Sequence, residues 1–193
     1  MVIEVLEAFE YQIRLKQLNL QCHFDRNLPS QINSDGDRIK QLLFNLVQNA
    51  MKYTQKGFIS IFVYMEQGQD EYIRFDVVDS GMGIDEVDRS CLFELFGINK
   101  VNRQKKNAGL GLTISQILAQ ELGQDNLRVD SEVNKGSTFS FRVKTDTVKR
   151  HDSSSSNVIF HSRNQREIII DPIEEEFKEE DAVSNSPNQF VFQ

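Results

Sequence analysis

Residues 37–54 read DRIKQLLFNLVQNAMKYT, and this stretch decides how the rest is read. Ile39, Leu42, Leu43, Leu46, Val47 and Ala50 recur at i, i+3, i+4, i+7, i+8 and i+11. That period predicts a helix from Arg38 to about Tyr53 with one broad apolar face turned to a core. Asp35-Gly-Asp supplies its start signal. The opposite face carries Gln41, Asn45, Gln48, Asn49 and Lys52. Asn45, Asn49 and Lys52 stack over two turns. Asparagine is a poor helix-interior residue because its amide competes for backbone hydrogen bonds. Two of them one turn apart, followed by a lysine, suit a face that meets something polar. Amide oxygens suit a hard cation such as Mg²⁺, and a lysine suits phosphate. A plain solvated face is the alternative reading.

Working outward, Val2 to Leu18 reads as a helix with Val5, Leu6, Phe9 and Ile13 on one face. Leu20 to Phe24 and Gln31 to Asn33 read as short strands. Phe58 to Glu66 and Tyr72 to Val78 read as a β pair across Gln67-Gly-Gln-Asp. Gly109 to Leu122 reads as a helix. Leu127 to Val133 and Ser137 to Val143 form a hairpin across Asn134-Lys-Gly. The expected class is α/β (α+β): a mixed sheet backed by helices in two layers.

Two glycine loops punctuate the second half. VVDSGMGID (77–85) follows an apolar strand directly. Asp79 is placed at the strand end, where a carboxylate can accept a hydrogen bond from an amino group. Gly81 and Gly83 permit positive φ and close approach of a ligand to the backbone. NAGLGLTIS (107–115) puts Gly109 and Gly111 at a helix start, where free N–H groups and the helix dipole favour phosphate. It is neither a Walker A loop nor a dinucleotide fingerprint. The intervening CLFELFGINKVNRQKKN begins apolar and ends basic, with Lys100, Arg103, Lys105 and Lys106, the composition of a lid over a polyphosphate or of a solvated loop.

The chain has 193 residues and a formal charge of 22 − 29 = −7. Residues 150–193 hold four basic and nine acidic side chains, −5 in total, leaving −2 for residues 1–149. A nearly neutral body beside an acidic segment argues against nucleic-acid binding, which needs clustered Lys and Arg. No stretch approaches the roughly 18 apolar residues of a membrane helix. The first residues are acidic and helix-like, so no secretory signal is expected. Cys22 and Cys91 give neither a disulfide framework nor metal spacing. Residues 1–145 are expected to form the globular domain. Residues 146–193, polar and acidic, are expected to be a disordered tail or linker, with REIII (166–170) as a candidate strand or docking motif.

Taken together, these pieces resemble one family. DRIKQLLFNLVQNAMKYT is similar to the N box of sensor histidine kinases, VVDSGMGID to their G1 box, LFELFG (92–97) to their F box and AGLGLTIS (108–115) to their G2 box. GSTFSF (136–141) is similar to the strand that closes their domain. The spacing also fits, with 30 residues from Asn49 to Asp79 and 30 from Asp79 to Gly109. The resemblance spans Val2 to Val143 and points to the catalytic region of hybrid kinases. These belong to the wider Bergerat-fold (GHKL) ATPase group that includes gyrase and MutL.

The resemblance implies a Bergerat-type sandwich with ATP between the long helix and a flexible lid. It makes Asn49 the Mg²⁺ ligand with Asn45 alongside. It sets Lys52 on phosphate and Tyr53 on the adenine side. Asp79 accepts the adenine amino group, in a pocket shaped by Gly81 and Gly83. Phe93 and Phe96 anchor the lid. Gly109, Leu110, Gly111 and Leu112 hold phosphates through backbone N–H groups. The implied cofactors are ATP and Mg²⁺. The implied function is transfer of the γ-phosphoryl group to a histidine outside this chain, in a cytoplasmic two-component phosphorelay. The implied partners are a dimerisation and phosphoacceptor domain and a response-regulator receiver. Two departures stand out. Asn107 occupies a place where the family usually has glycine. None of His23, His151 and His161 lies in a phosphoacceptor context, so no residue of the chain is itself identified as catalytic. The alternatives are a degenerate kinase acting as an ATP-dependent interaction module, and a serine kinase sharing these boxes.

Overall fold

The computed structural model describes residues 1–29, 31–66, 72–90, 92–93, 110–145, 156–159 and 167–170. Four helices occur among them: α1 (Val2–Leu15), α2 (Gly36–Tyr53), α3 (Glu86–Ser90) and α4 (Leu110–Gly123). The strands are β1 (Leu18–Phe24), β2 (Gln31–Ser34), β3 (Gly57–Glu66), β4 (Tyr72–Asp79), β5 (Arg128–Glu132), β6 (Gly136–Lys144), β7 (Ser156–Ile159) and β8 (Glu167–Ile170).

The main sheet runs β5-β6-β4-β3-β1-β8. It is mixed: β1 and β3 are parallel and every other pair is antiparallel. Alternation along the strands sends one set of side chains inward. Leu18, Leu20, Cys22 and Phe24 of β1 are buried, as are Ile59, Ile61 and Val63 of β3, Ile73, Phe75 and Val77 of β4, and Phe139, Phe141 and Val143 of β6. Phe75 and Phe141, directly paired across the sheet, stack with centroids 4.7 Å apart. Helices α1, α2 and α4 pack on the sheet. All six apolar positions expected on α2 are buried, joined by Met51. Each fully buried Leu or Ile there contributes roughly 1.5–3 kcal/mol. Asp35 caps α2 by accepting from the Arg38 N–H at 3.0 Å.

The first helix is shorter than its apolar period suggests. It ends at Leu15, where Gln17 turns the chain at φ 55°, and β1 begins at Leu18 rather than Leu20. Leu18 and Leu20 belong to the alternating pattern of a strand, which wins over continuation of the helix.

Two stretches of the segment expected to be disordered are strands. β7 pairs antiparallel with β2, Ile32 facing Val158. β8 adds an edge to the main sheet, with Ile168 opposite Cys22 and Ile170 opposite Leu20, and Ile170 is buried. The REIII stretch is therefore a strand. The reason is apolar pairing: Ile170, opposite Leu20, is buried and extends the inner face of β1. The rest of residues 146–193 lies outside the described residues.

Candidate functional site

Helix α2 is the element around which the site is assembled. Its C-terminal end touches the loop after β4, and its middle touches the first turns of α4. At the C-terminal end the Thr54 N–H donates to the Ala50 carbonyl at 2.9 Å and closes the helix. The Tyr53 carbonyl then accepts from the Met82 N–H at 3.3 Å, which fastens the loop after β4 to the helix end. Further back on α2, the Asn45 amide N–H donates to Ser115 Oγ of α4 at 3.5 Å. Ser115 Oγ in turn donates to the Gly111 carbonyl at 2.8 Å. The Arg38–Glu121 ion pair at 2.6 Å braces the same two helices. Asn49 sits one turn after Asn45, between these two attachments.

Asp79 ends β4 and is only 6% exposed. Its Oδ1 accepts from the Gly81 N–H at 2.8 Å. Burial pushes its carboxyl above the ordinary carboxylate range, opposed by the Gly81 and Ser137 backbone N–H groups and by the nearby Thr54 hydroxyl. The surroundings leave no room for larger residues. A Cβ on Gly81 would lie 2.6 Å from the Tyr53 carbonyl oxygen and 2.7 Å from Asp79 Oδ1. At Gly136 (φ 115°) it would lie 1.9 Å from the Asp79 carbonyl oxygen. Gly83 (φ 68°) is glycine for a reason the sequence does not show: the backbone of Glu132, in β5, stands 2.1 Å from where its Cβ would be.

The phosphate-loop end is built differently. Gly111 lies in the first turn of α4, and a Cβ there would meet nothing within 4 Å. Leu112 and Phe93 are partly buried against the core. Lys52 and Tyr53 are exposed on α2, the ammonium 5.1 Å from the ring centroid. Phe96, Gly109, Asn107 and the basic run from Lys100 to Lys106 fall outside the described residues, as do Cys91, His151 and His161.

The chemistry of α2 fits a metal held jointly with phosphates. Asn45 and Asn49 are half-buried, and among the described residues the Asn49 side-chain amide has no hydrogen-bond partner. Among the described residues no cluster of three His, Cys, Asp or Glu side chains could hold a metal alone. Mg²⁺ is commonly bound this way, through one or two protein oxygens completed by phosphate and water. A separate cavity of about 320 Å³ between α1 and α2, lined by Glu4, Val5, Ala8, Lys40, Gln41 and Phe44, contains none of the expected site residues.

Sequence reasoning missed two residues of this pocket. Thr54 follows α2 and Ser137 stands second in β6, yet both are buried beside Asp79. The available signal was the position of Thr54 directly after the polar stripe.

Comparison with known proteins places these features in a group. Residues 34–147 match the family described as histidine kinase-, DNA gyrase B- and HSP90-like ATPase. The chain is 42% identical over 150 residues to hybrid signal transduction histidine kinase B of Dictyostelium discoideum, covering 72% of this chain and 8% of that protein. It spans 18% or less of the length of the curated relatives considered. The structure of the catalytic domain of histidine kinase ThkA superposes with a TM-score of 0.60 at 31% identity, covering 75% of this chain and 91% of that one. Full-length ShkA in complex with AMPPNP superposes with a TM-score of 0.60 at 25% identity, covering 77% of this chain and 31% of that one. No helix among the described residues is long and apolar enough to cross a membrane.

Proposed function

The chain belongs to the histidine kinase-, DNA gyrase B- and HSP90-like ATPase family, and from that premise we propose that it works as the catalytic half of a hybrid histidine kinase. Its domain is the ATP-binding catalytic type of the histidine kinases. In the proposed reaction it presents Mg-ATP to a histidine carried by a separate phosphoacceptor segment. The observation that carries this is Asp79: one carboxylate, buried at a strand end between two glycines that the fold requires, next to the end of a helix lined with asparagines.

Asp79 accepts a hydrogen from the base amino group, and Tyr53 lies at the base end of α2. The amide oxygens of Asn49 and Asn45 serve as metal ligands. Lys52 adds positive charge toward the phosphates. The backbone N–H groups of Leu110, Gly111 and Leu112 open α4 and point donors where a helix dipole favours anions. Gly81 and Gly83 hold the pocket's shape, while Gly109, Phe93 and Phe96 belong to the lid side. Bound Mg²⁺ neutralises phosphate charge. The protein's own contribution is positioning and electrostatic stabilisation. The acceptor imidazole nitrogen forms the N–P bond as the bond from the γ-phosphorus to the bridging oxygen breaks and ADP leaves.

Several consequences follow from the hybrid reading. The partners are a dimerisation and phosphoacceptor domain and a downstream receiver. The compartment is the ATP-rich cytoplasm. Residues 1–145 act as the catalytic unit, to which β7 and β8 add strands, and the rest of residues 146–193 as its connection onward. Retention of Asn45, Asn49, Asp79 and Gly111 favours a working kinase over a degenerate interaction module. The test is trans-phosphorylation. The chain is mixed with labelled Mg-ATP and the isolated dimerisation domain of a hybrid kinase. Acid-labile, base-stable label on that domain, lost with Asn49→Ala, is the expected result. Nucleotide binding without any transfer to several such domains contradicts the kinase reading and leaves the interaction module.

A further inference from the structure

The hydroxyl of Ser115 can act toward Asn45 in only one direction. Ser115 is 0% exposed and lies on the side of α4 that meets α2. A serine hydroxyl has one proton to give and two lone pairs that receive. Its proton goes to the nearer acceptor, the Gly111 carbonyl at 2.8 Å, and a carbonyl oxygen has nothing to donate. Toward Asn45, 3.5 Å away, Ser115 Oγ is left only as an acceptor. At that length the contact adds little strength, and its direction is what matters.

An asparagine amide has nearly the same shape either way round, and its hydrogen-bond partners decide which end carries the oxygen. A partner that only accepts breaks that symmetry. It holds the N–H₂ end of Asn45 against α4 and turns Oδ1 to the opposite side. Among the described residues, nothing donates to Asn45 Oδ1. Asn49 stands one turn further along the same face of α2. The reverse orientation would present N–H donors where a cation requires an oxygen. Ser115 is itself held in place, by its bond to the first turn of its own helix and by the Arg38–Glu121 ion pair that braces α4 against α2.

We propose that Ser115 is a positioning residue for the metal: by accepting from Asn45 Nδ2 it keeps the Asn45 amide oxygen presented as a ligand. This rests on the reading that Asn45 and Asn49 hold Mg²⁺ together with the nucleotide. Ser115 touches neither metal nor phosphate and acts through Asn45. Its bond to Gly111 ties that orientation to the turn of α4 that opens with backbone donors.

The experiment is calorimetric titration of ADP, in Mg²⁺ and in EDTA, into the full chain and its Ser115→Ala, Asn45→Ala and doubly substituted variants. The readout is the factor by which Mg²⁺ tightens ADP. Without the serine hydroxyl, the Asn45 amide populates both orientations and more than one rotamer. The competent fraction falls, and the factor should fall with it by about fourfold. ADP affinity in EDTA should stay at the wild-type value. In the Asn45→Ala background, Ser115→Ala should lower the factor no further. Ser115→Thr, which retains the hydroxyl, should keep the wild-type factor. A merely structural serine would weaken ADP equally with and without Mg²⁺, and would do so whether or not Asn45 is present. Either result from a folded Ser115→Ala overturns the proposal, as does an unchanged factor. If Ser115→Ala does not fold, wild type decides alone by NMR. The Asn45 side-chain N–H₂ should exchange with water more slowly than that of exposed Gln48, and equally fast exchange overturns the proposal. Wild type that binds ADP with no response to Mg²⁺ is a distinct outcome, which removes the metal reading and the role of Ser115 with it.

Discussion

The two ends of this site both carry glycines, and the glycines described at each are placed by opposite means. Around Asp79 the glycines are consequences of packing. Gly136 faces the Asp79 carbonyl at 1.9 Å, and Gly83 faces the Glu132 carbonyl at 2.1 Å, measured from the Cβ that each lacks. At the start of α4, Gly111 faces open space. The base end is thus shaped by folding itself. The phosphate end is shaped by what it leaves clear. Substitutions at the first should act on stability, and substitutions at the second on ligand affinity.

Gly136→Ala is the harshest way to sharpen this contrast. It adds a methyl group where a backbone oxygen stands, at φ 115°. Strain and overpacking together should destabilise the fold by about 3 kcal/mol, read by urea unfolding. A loss under about 0.5 kcal/mol would break the claim that this end is packing-determined. Asp79→Asn comes next. It should weaken Mg-ADP about a hundredfold, because an amide N–H₂ opposes the base amino group, while circular dichroism stays native. Gly111→Ala should give the inverse of Gly136→Ala. Ala is the better helix former, so folding is unchanged or gains up to about 0.5 kcal/mol, while nucleotide affinity falls about tenfold. Equal damage to stability at positions 111 and 136 would erase the distinction between the two ends of the site.

The smallest expected effect is on pH dependence. Burial raises the Asp79 carboxyl above its ordinary range, so the folded state holds its proton more tightly than the unfolded chain. Stability from this group is therefore greatest below about 3.9, the unfolded value, and is lost as pH rises through the folded one. Asp79→Asn lacks this dependence. Its urea midpoint should exceed that of wild type at pH 7 and converge with it near pH 3. A variant less stable than wild type at pH 7 contradicts this account of the buried charge.

Local pattern made the long helix, the Asp79 strand end and the two loops legible. The six-residue apolar period of α2 and the polar stripe opposite it are properties of consecutive residues, and the structure keeps both. What escaped reading was set by distant partners. Residues 156–159 are a strand because β2 receives them, and nothing in their own polar setting announces that, whereas the candidate strand in REIII is realised at 167–170 because the edge of β1 receives it. Gly83 is glycine because of Glu132, 49 residues later. Thr54 looked like the end of a helix motif, and only the approach of Asp79 and Gly81 shows it as part of a pocket wall. The early stop of α1 at Leu15 is likewise decided by the strand that follows it.

The most direct test is calorimetric titration of Mg-ADP into the full chain beside its Asp79→Asn variant, both shown to be folded. The account predicts binding in the micromolar to sub-millimolar range for wild type and about a hundredfold loss in the variant. No binding by wild type, or equal binding by the two, would contradict the claim that Asp79 is the base-recognition centre of a nucleotide site.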